Sequence, residues 1–366
     1  MNNFVNELRP VTVMLTASGS QFAPGIIKCL KNNGERKIIV VGGDIDNDPS
    51  NQYGVDVFRC IPLVSDMNYT QEIARICEEE GVDILLPQMS AELPLYLEHL
   101  DVFAKVGTLV SMTQSDSVTI ANNKRKLFDF MSENQIPVPK YYKVSSLEEL
   151  REGLSKLGYP EKPVVIKVAE GSGSRGVRVI DVNQSRFERF IKEKPSSICV
   201  SYEEIKEILI DGLKRSGQNF PELILMEYLS GDEYDIDLLA EKGRVLYIAG
   251  RRNTQMLMSI TQTSVLEYNQ RAENIAEELV KKLELDGNIG LDFKFDEEGQ
   301  AQLLEINPRI DATVSIFAAG GMNLPYLRVK QLLKEELPKV DVQYGVHMKR
   351  KYLEIFTDSM GRWIEW

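Results

Sequence analysis

Histidine is the scarcest functional residue in this chain: among 366 residues only His99 and His347 are histidine, and they lie far apart in unlike contexts. A His-based acid–base mechanism or a His-rich metal site is therefore not expected. Cysteine is nearly as scarce. Cys29, Cys60, Cys77 and Cys199 show no C-x-x-C spacing and no signal peptide precedes them, so neither a zinc cluster nor a secreted disulfide framework fits, and reduced thiols in a cytoplasmic protein are expected. Positive charge is in deficit. Lys+Arg of 43 against Asp+Glu of 55 leaves a net charge of -12, which repels a phosphate backbone and removes nucleic acid as a main partner. No apolar run approaches the ~18 residues of a membrane helix, so no membrane partner is expected either. Glycine (25) and proline (15) are too few for a low-complexity or collagen-like chain. What is left is an ordinary globular composition, 43% hydrophobic and 27% charged, long enough at ~150 residues per domain for two or three packed units. Any catalysis falls to Lys, Arg, Asp, Glu and Asn.

The hydrophobic pattern divides the chain. Val11 to Leu15 reads as a strand running into the small-residue turn Thr16-Ala17-Ser18-Gly19-Ser20, with a helix over Pro24 to Leu30. Strands over Ile38–Val41, Asp83–Leu86 and near Thr108 alternate with helices over Tyr69–Glu80 and Glu92–Leu100, which predicts a doubly wound parallel sheet over residues 1–115. A dinucleotide site is tempting there, because Asp44 follows the second strand. Only Gly19 is present where G-x-G-x-x-G needs three glycines, so that reading fails. Past the polar stretch Ser111–Asn123 come a helix over Lys124–Asn134, a Pro137/Pro139 break, a strand, a helix over Leu147–Leu157 and strands over Val164–Val168 and Val177–Asp181. Exposed helices are expected over Asn183–Asn219, then strands over Leu223–Glu227, Tyr234–Ala240 and Val245–Ala249, the last two joined by a turn at Glu241-Lys242-Gly243. A helix over Tyr268–Leu283 precedes two final strands, Ile289–Phe295 and Gln302–Ile306. The divisions are drawn at 1–115, 116–230 and 231–366.

Three segments carry chemistry. In Val164-Val-Ile-Lys-Val-Ala-Glu-Gly-Ser-Gly-Ser-Arg-Gly-Val177, Lys167 leaves a strand just before a turn holding Gly171, Gly173 and Gly176. A positive charge beside closely approached backbone N–H groups suits a polyphosphate, while a plain hairpin explains the glycines equally well. The Walker spacing is absent, which disfavours a P-loop nucleotidase. In Leu304-Glu-Ile-Asn-Pro-Arg309, Glu305 and Asn307 share one face of a strand, and Asp292 lies on the preceding strand of a hairpin. Three converging oxygen ligands suit Mg²⁺; the competing reading is an edge strand with wet acids. In Leu225-Met-Glu-Tyr-Leu-Ser-Gly-Asp-Glu233, a strand turns at Ser230-Gly231, so that Glu227, Tyr228 and Leu229 can present backbone to an adenine edge and Glu233 can accept from ribose, or the segment is a β-turn with solvated acids.

In this order and separation the three segments resemble the ATP-grasp superfamily, and most closely the subgroup similar to the large subunit of carbamoyl-phosphate synthase, over Thr113 to Leu333. The resemblance implies a two-lobed α+β ATP-grasp fold behind a Rossmann-like pre-ATP-grasp domain. It implies that Lys124 and Lys167 bind the triphosphate, that Gly171, Ser172, Gly173, Ser174 and Gly176 form the loop covering the phosphates, and that Glu227, Tyr228 and Leu229 form the adenine hinge with Glu233 on the ribose. Asp292, Glu305 and Asn307 would ligate two Mg²⁺ (Mn²⁺ as the alternative ion), Glu305 bridging them, and Arg309 would stand near the transferred phosphoryl group. Gly320-Gly-Met-Asn-Leu-Pro-Tyr326 looks like the segment that follows this motif in the subgroup. The chain has room for one grasp unit where the synthase subunit has two, and nothing resembles a glutaminase, so synthesis of carbamoyl phosphate is not the leading expectation. The implied activity is ligation of a carboxylate to an amine through an acylphosphate, with ATP and two small molecules as partners and a homodimer as the family-level assembly. A bicarbonate- or carbamate-phosphorylating enzyme and a non-catalytic ATP-binding regulator are the alternatives. For the substrate, one of Arg251 and Arg252 is expected to fork onto a carboxylate, at the end of a strand before a loop over Asn253–Thr263. Asp311, Thr313 and Ser315 are expected either to line the acceptor pocket or to cap a helix. Both histidines and the Tyr228 side chain are read as structural.

Overall fold

A computed structural model describes residues 8–171, 176–182, 186–192, 198–216, 219–257, 260–352, 354–360, 362 and 364. The first unit follows from its apolar runs. β1 (Val11–Thr16), β2 (Ile38–Asp44), β3 (Val57–Cys60), β4 (Ile84–Leu86) and β5 (Leu109–Val110) form a sheet of order β3-β2-β1-β4-β5, parallel in every pairing. α1 (Ala23–Lys31), α2 (Tyr69–Glu79), α3 (Leu93–Glu98) and α4 (Leu100–Lys105) cover it. The order reverses between β1 and β4, the switch point at which open α/β sheets place ligands. The helix expected over Glu92–Leu100 is broken at His99, whose ring Nδ1 lies 2.9 Å from the Leu95 carbonyl oxygen.

α5 (Ser117–Asn122) and α6 (Lys124–Glu133) lead to a second sheet of order β6-β10-β7-β8-β9: β6 (Tyr141–Val144), β7 (Val164–Val168), β8 (Arg178–Ile180), β9 (Cys199–Val200) and β10 (Leu223–Glu227). α7 (Leu147–Lys156), α8 (Arg186–Lys192) and α9 (Tyr202–Ser216) belong to this lobe. Asn123 fixes the start of α6, accepting from the Arg125 and Lys126 amides. The chain then crosses into a third, six-stranded sheet of order β15-β14-β11-β12-β13-β16, with β11 (Glu233–Glu241), β12 (Arg244–Leu257), β13 (Ile260–Leu266), β14 (Gly287–Phe295), β15 (Ala301–Asn307) and β16 (His347–Lys349), antiparallel throughout. α10 (Gln270–Lys282), α11 (Ser315–Ala319) and α12 (Leu324–Leu332) complete the chain's helices among the described residues.

The expected loop over Asn253–Thr263 is instead a hairpin: β12 continues to Leu257 and β13 starts at Ile260, paired with irregularities around Gln255. Thr254, Thr261 and Thr263 are β-branched, which favours a pleated surface even in a polar stretch. Gly250 lies so close to the Tyr234 ring that a Cβ there would stand 1.7 Å from the hydroxyl oxygen, so the crossing of β11 and β12 requires glycine. One apolar core joins the first unit to the third sheet, since Ile26, Ile27 and Leu30 of α1 pack with Phe317, Leu324 and Val329 of α11 and α12. Arg36 closes that seam, its Nε donating to the Tyr326 hydroxyl at 3.1 Å while its guanidinium pairs with Glu335. Among the described residues no helix is long and apolar enough to cross a membrane.

Candidate active site

Strand register assembles the site. Glu305 on β15 lies opposite Asp292 on β14, Asp292 opposite Asp235 on β11, and Asp235 opposite Arg251 on β12. Neighbours directly opposite share a face, so three carboxylates stand side by side across the sheet. Like charges so placed repel, and burial makes the repulsion worse. Two cations hold the ends of the row. Lys124 Nζ is 2.7 Å from Glu305 Oε2, and Arg251 Nη2 is 2.7 Å from Asp235 Oδ2. The titration behaviour follows: burial raises the Glu305 carboxyl, but Lys124 overcomes this and leaves it below the usual range. Asp292, in the middle, is held well above the usual range by burial and by Asp235 and Glu305 on its two sides. Asp235 is pushed up to about 6, burial outweighing Arg251.

Lys124 also donates to the Gly171 carbonyl at 3.1 Å, and its own amide donates to Ala169, so the entrance of the glycine turn is tied to the head of α6. Lys167 on β7 is buried among the same charges, and burial, aided by Lys124, lowers its pKa to about 8 despite Glu305, Asp292 and Glu233 nearby. Gly176 closes the described part of the turn at φ +74°, where a Cβ would come within 2.7 Å of Val168. Ser172, Gly173 and Ser174 lie outside the described residues. At the crossover, Glu227 Oε1 accepts from the Lys140 amide at 2.8 Å, Leu229 is buried, and the half-exposed Tyr228 ring lies 5.7 Å beneath Lys294 Nζ.

Asn307 donates from Nδ2 to Asp292 Oδ2 at 3.3 Å and accepts from Arg309 Nη2 at 2.9 Å. Which amide atom faces which partner is an assignment that a cation at Asp292 would reverse. The donor set fits a hard divalent ion: two carboxylates and an amide oxygen on adjacent strands, with a repelled carboxylate in the middle that a cation would relieve. The rest of its coordination would come from water and phosphate.

Of the two arginines, Arg251 turns inward and Arg252 outward, as alternation on a strand requires. Arg252 pairs with Glu267 at 2.9 Å and Asp232 at 3.1 Å near the surface. Arg251 is 1% exposed and caged: besides Asp235 it meets Asp311 at 2.8 Å, Asp237 at 3.7 Å, Thr261 and Asn253. It forks onto side chains of the protein itself. Asp311 accepts from the Thr313 amide at 2.7 Å, and Ser315 starts α11 with its Oγ 3.3 Å from where a Gly25 Cβ would stand. The turn after β1 is closed upon itself: the Ser18, Gly19 and Ser20 amides donate to Gly43 O, Asp44 Oδ2 and Ala17 O, leaving none of the three for a pyrophosphate.

The sequence reading passed over Asp235, Asp237 and Arg350. The first two were accessible through the alternation Glu233-Tyr-Asp-Ile-Asp237. Arg350 follows β16, donates to Thr261 O at 3.1 Å and lies 5.9 Å from the Phe22 ring of the first unit. No carboxylate pairs with it among the described residues, and burial and the charge of Arg251 lower its pKa.

Three sheets in this order bring two buried lysines to an acidic strand pair, with a separate α/β unit in front. The family comparisons agree in both parts: a model described as ATP-grasp in the biosynthetic pathway with Ter operon matches residues 219–352, and one for the PylC-like N-terminal domain matches residues 13–111. The chain is 24% identical over 332 residues to the carbamoyl phosphate synthase large chain of Clostridium acetobutylicum, covering 88% of this chain and 28% of that one. It spans less than half the length of the synthases it matches. Among solved structures, biotin carboxylase from Campylobacter jejuni in complex with β,γ-ATP superposes with a TM-score of 0.67 at 16% identity, over 90% of this chain and 73% of that one. L-amino acid ligase from Bacillus licheniformis superposes with a TM-score of 0.61 at 15% identity, over 90% and 75%. Over residues 219–352 the chain is similar to the ATP-grasp family.

Proposed function

We propose that this chain is an ATP-dependent carboxylate–amine ligase: the γ-phosphoryl of ATP moves onto a carboxylate, and an amine displaces phosphate from the acylphosphate, releasing ADP. The observation that supports it best is the position of Lys124, bonded at once to Glu305 on the acidic strand and to the carbonyl of Gly171 at the glycine turn. Charge neutralisation and positioning are what phosphoryl transfer demands of a protein. Bound at Asp292, Glu305 and Asn307, two Mg²⁺ would neutralise the triphosphate. Lys124 and Lys167 add charge along the phosphates, the crossover at Glu227–Leu229 seats the base, and Glu233 faces the ribose. Arg309 stabilises the acylphosphate oxygens. A loop covering the phosphates, the role that the resemblance implies for Gly171 to Gly176, would keep water from the acylphosphate. Arg350, with its guanidinium unpaired by any described carboxylate, holds a carboxylate of the acceptor.

The test is a screen of nucleotide release by the purified chain against amino acids and carboxylates. ADP and phosphate are expected; AMP and pyrophosphate would sink the proposal. Glu305→Ala should abolish turnover with the fold intact by circular dichroism, and full activity in that variant would refute the metal assignment. The likeness to carbamoyl phosphate synthases favours a second reading, phosphorylation of bicarbonate, which predicts bicarbonate-dependent ATP turnover with no amine present.

A further inference from the structure

We propose that Arg251 is a positioning residue: through Asp311 it fixes the segment after β15, and so holds the Arg309 guanidinium over the acidic row. The proposal deepens the ligase reading, on which the role of Arg309 rests.

β15 ends at Asn307 and α11 begins at Ser315, so Arg309 and Asp311 lie in a stretch that no strand partner holds. Within that stretch the backbone bonds are local: the Arg309 amide donates to Asn307 O, and the Thr313 amide to Asp311 Oδ1. Ile310 and Val314 are buried in the core, which sets the depth of the segment but not its course along the sheet face. The course is set by side chains. Glu305, Asn307, Arg309 and Asp311 follow every second position; Lys124 grips the first, Arg309 and Asp292 bond the second, and Arg251 grips the last. The strip is thus pinned at both ends by buried cations.

The fork geometry of a guanidinium is essential to that grip. Arg251 reaches from β12 to Asp235 on β11, to Thr261 on β13 and to Asp311 beyond β15, with Asn253 beside it on its own strand. An ammonium offers one point and cannot span these partners at once. The same contacts exclude a substrate fork. Both terminal nitrogens are engaged, and Nε, without a hydrogen-bond partner, faces the equally unpartnered Oδ2 of Asp237 at 3.7 Å. Gly290 leaves the space in which this assembly meets, for the Asp311, Asn307 and Asp237 side chains all come within 4 Å of where its Cβ would stand.

The experiment compares wild type, Arg251→Lys, Asp311→Asn and the double variant in the full chain. MgADP affinity by calorimetry should stay within about threefold, whereas kcat for ADP release with the acceptor pair found in the screen should fall about 100-fold at unchanged KM for ATP, the cost of an ångström-scale misplacement. The double variant should be no worse than either single one, because both cut the same link. Guanidinium added to Arg251→Gly should restore at least tenfold of the lost turnover. In a crystal structure of Arg251→Lys with MgADP, Arg309 should be displaced by about an ångström or more. Turnover of Arg251→Lys within twofold of wild type, a loss of MgADP affinity as large as the loss of kcat, additive losses in the double variant, or Arg309 in its wild-type place would each overturn the proposal. If wild type releases no ADP with any carboxylate, the ligase reading falls separately, and the Arg309 position and MgADP affinity still decide the role of Arg251.

Discussion

Lys167 should make nucleotide binding depend on pH in a window where few side chains titrate. Its pKa is lowered to about 8 by burial, with Lys124 adding to the effect, so in the free protein it is charged below that value and neutral above it. By one-site titration about 90% of the lysine is charged at pH 7, about half at pH 8 and about 10% at pH 9. A triphosphate needs the cation and returns the proton to it, so affinity must fall as pH rises, by roughly tenfold between pH 7 and 9 if only the charged form binds. Calorimetry with MgADP in two buffers of different ionisation heat measures both quantities at once: the affinity, and an uptake of about half a proton at pH 8. Lys167→Arg, which cannot lose its charge in this range, should bind with a flat pH dependence and no uptake; Lys167→Met should bind weakly at every pH. Flat affinity in wild type, or a slope that persists in Lys167→Arg, refutes the assignment of this lysine to the phosphates.

Asp292→Asn should separate stability from function. The aspartate stands between two carboxylates, and each such opposed pair costs about 0.2–1 kcal/mol at a sheet surface, so the variant should be stabler by about 1 kcal/mol without Mg²⁺ and poorer in Mg²⁺-dependent turnover. The sign is fixed by its raised folded pKa: the stability linked to this group is present in acid and lost as pH rises through that pKa, so the gain from Asn should grow with pH in denaturant titrations. A variant less stable than wild type at neutral pH contradicts the row's repulsion. Arg350→Gln should raise the acceptor KM about 10- to 100-fold, the worth of a hydrogen bond to a charged group, with MgADP affinity unchanged; an unaltered acceptor KM removes Arg350 from the pocket.

The strands that read clearly in the sequence were those built from Val, Ile and Leu, such as β1, β2 and β7, because an apolar run has few alternatives in a chain of this composition. The outer half of β12 and its hairpin partner β13 did not read, since the alternation there is made largely with Thr, Gln and Asn. α12 was hidden for the opposite reason: it is buried nearly all round, Arg328 and Lys330 included, so no polar face marks a helical period. Arg328 is tolerated there by pairing with Asp286 at 2.8 Å and donating to Ser111, contacts made across 42 and 217 positions that no local pattern announces.

The site divides along the same line. Glu305, Asn307 and Arg309 were legible because period-two alternation alone puts them on one face, and Lys167 because it precedes a glycine turn. The partner of each is a matter of register. Asp292 faces Glu305 only because β14 and β15 pair as they do, and a slip of one residue would turn Asp292 to the opposite face and leave Glu305 beside an apolar neighbour. Arg251 shows the limit most sharply: beside Arg252 its sequence context is that of a surface fork, while the pairing of β11 with β12 surrounds it with Asp235 and Asp237 and the end of β15 brings Asp311. A row of acids that repel one another is a poor way to stabilise a sheet. Its retention between two buried cations is best accounted for by a positive partner that arrives from outside, and the increase in stability expected on replacing Asp292 measures how much the fold gives up to receive it.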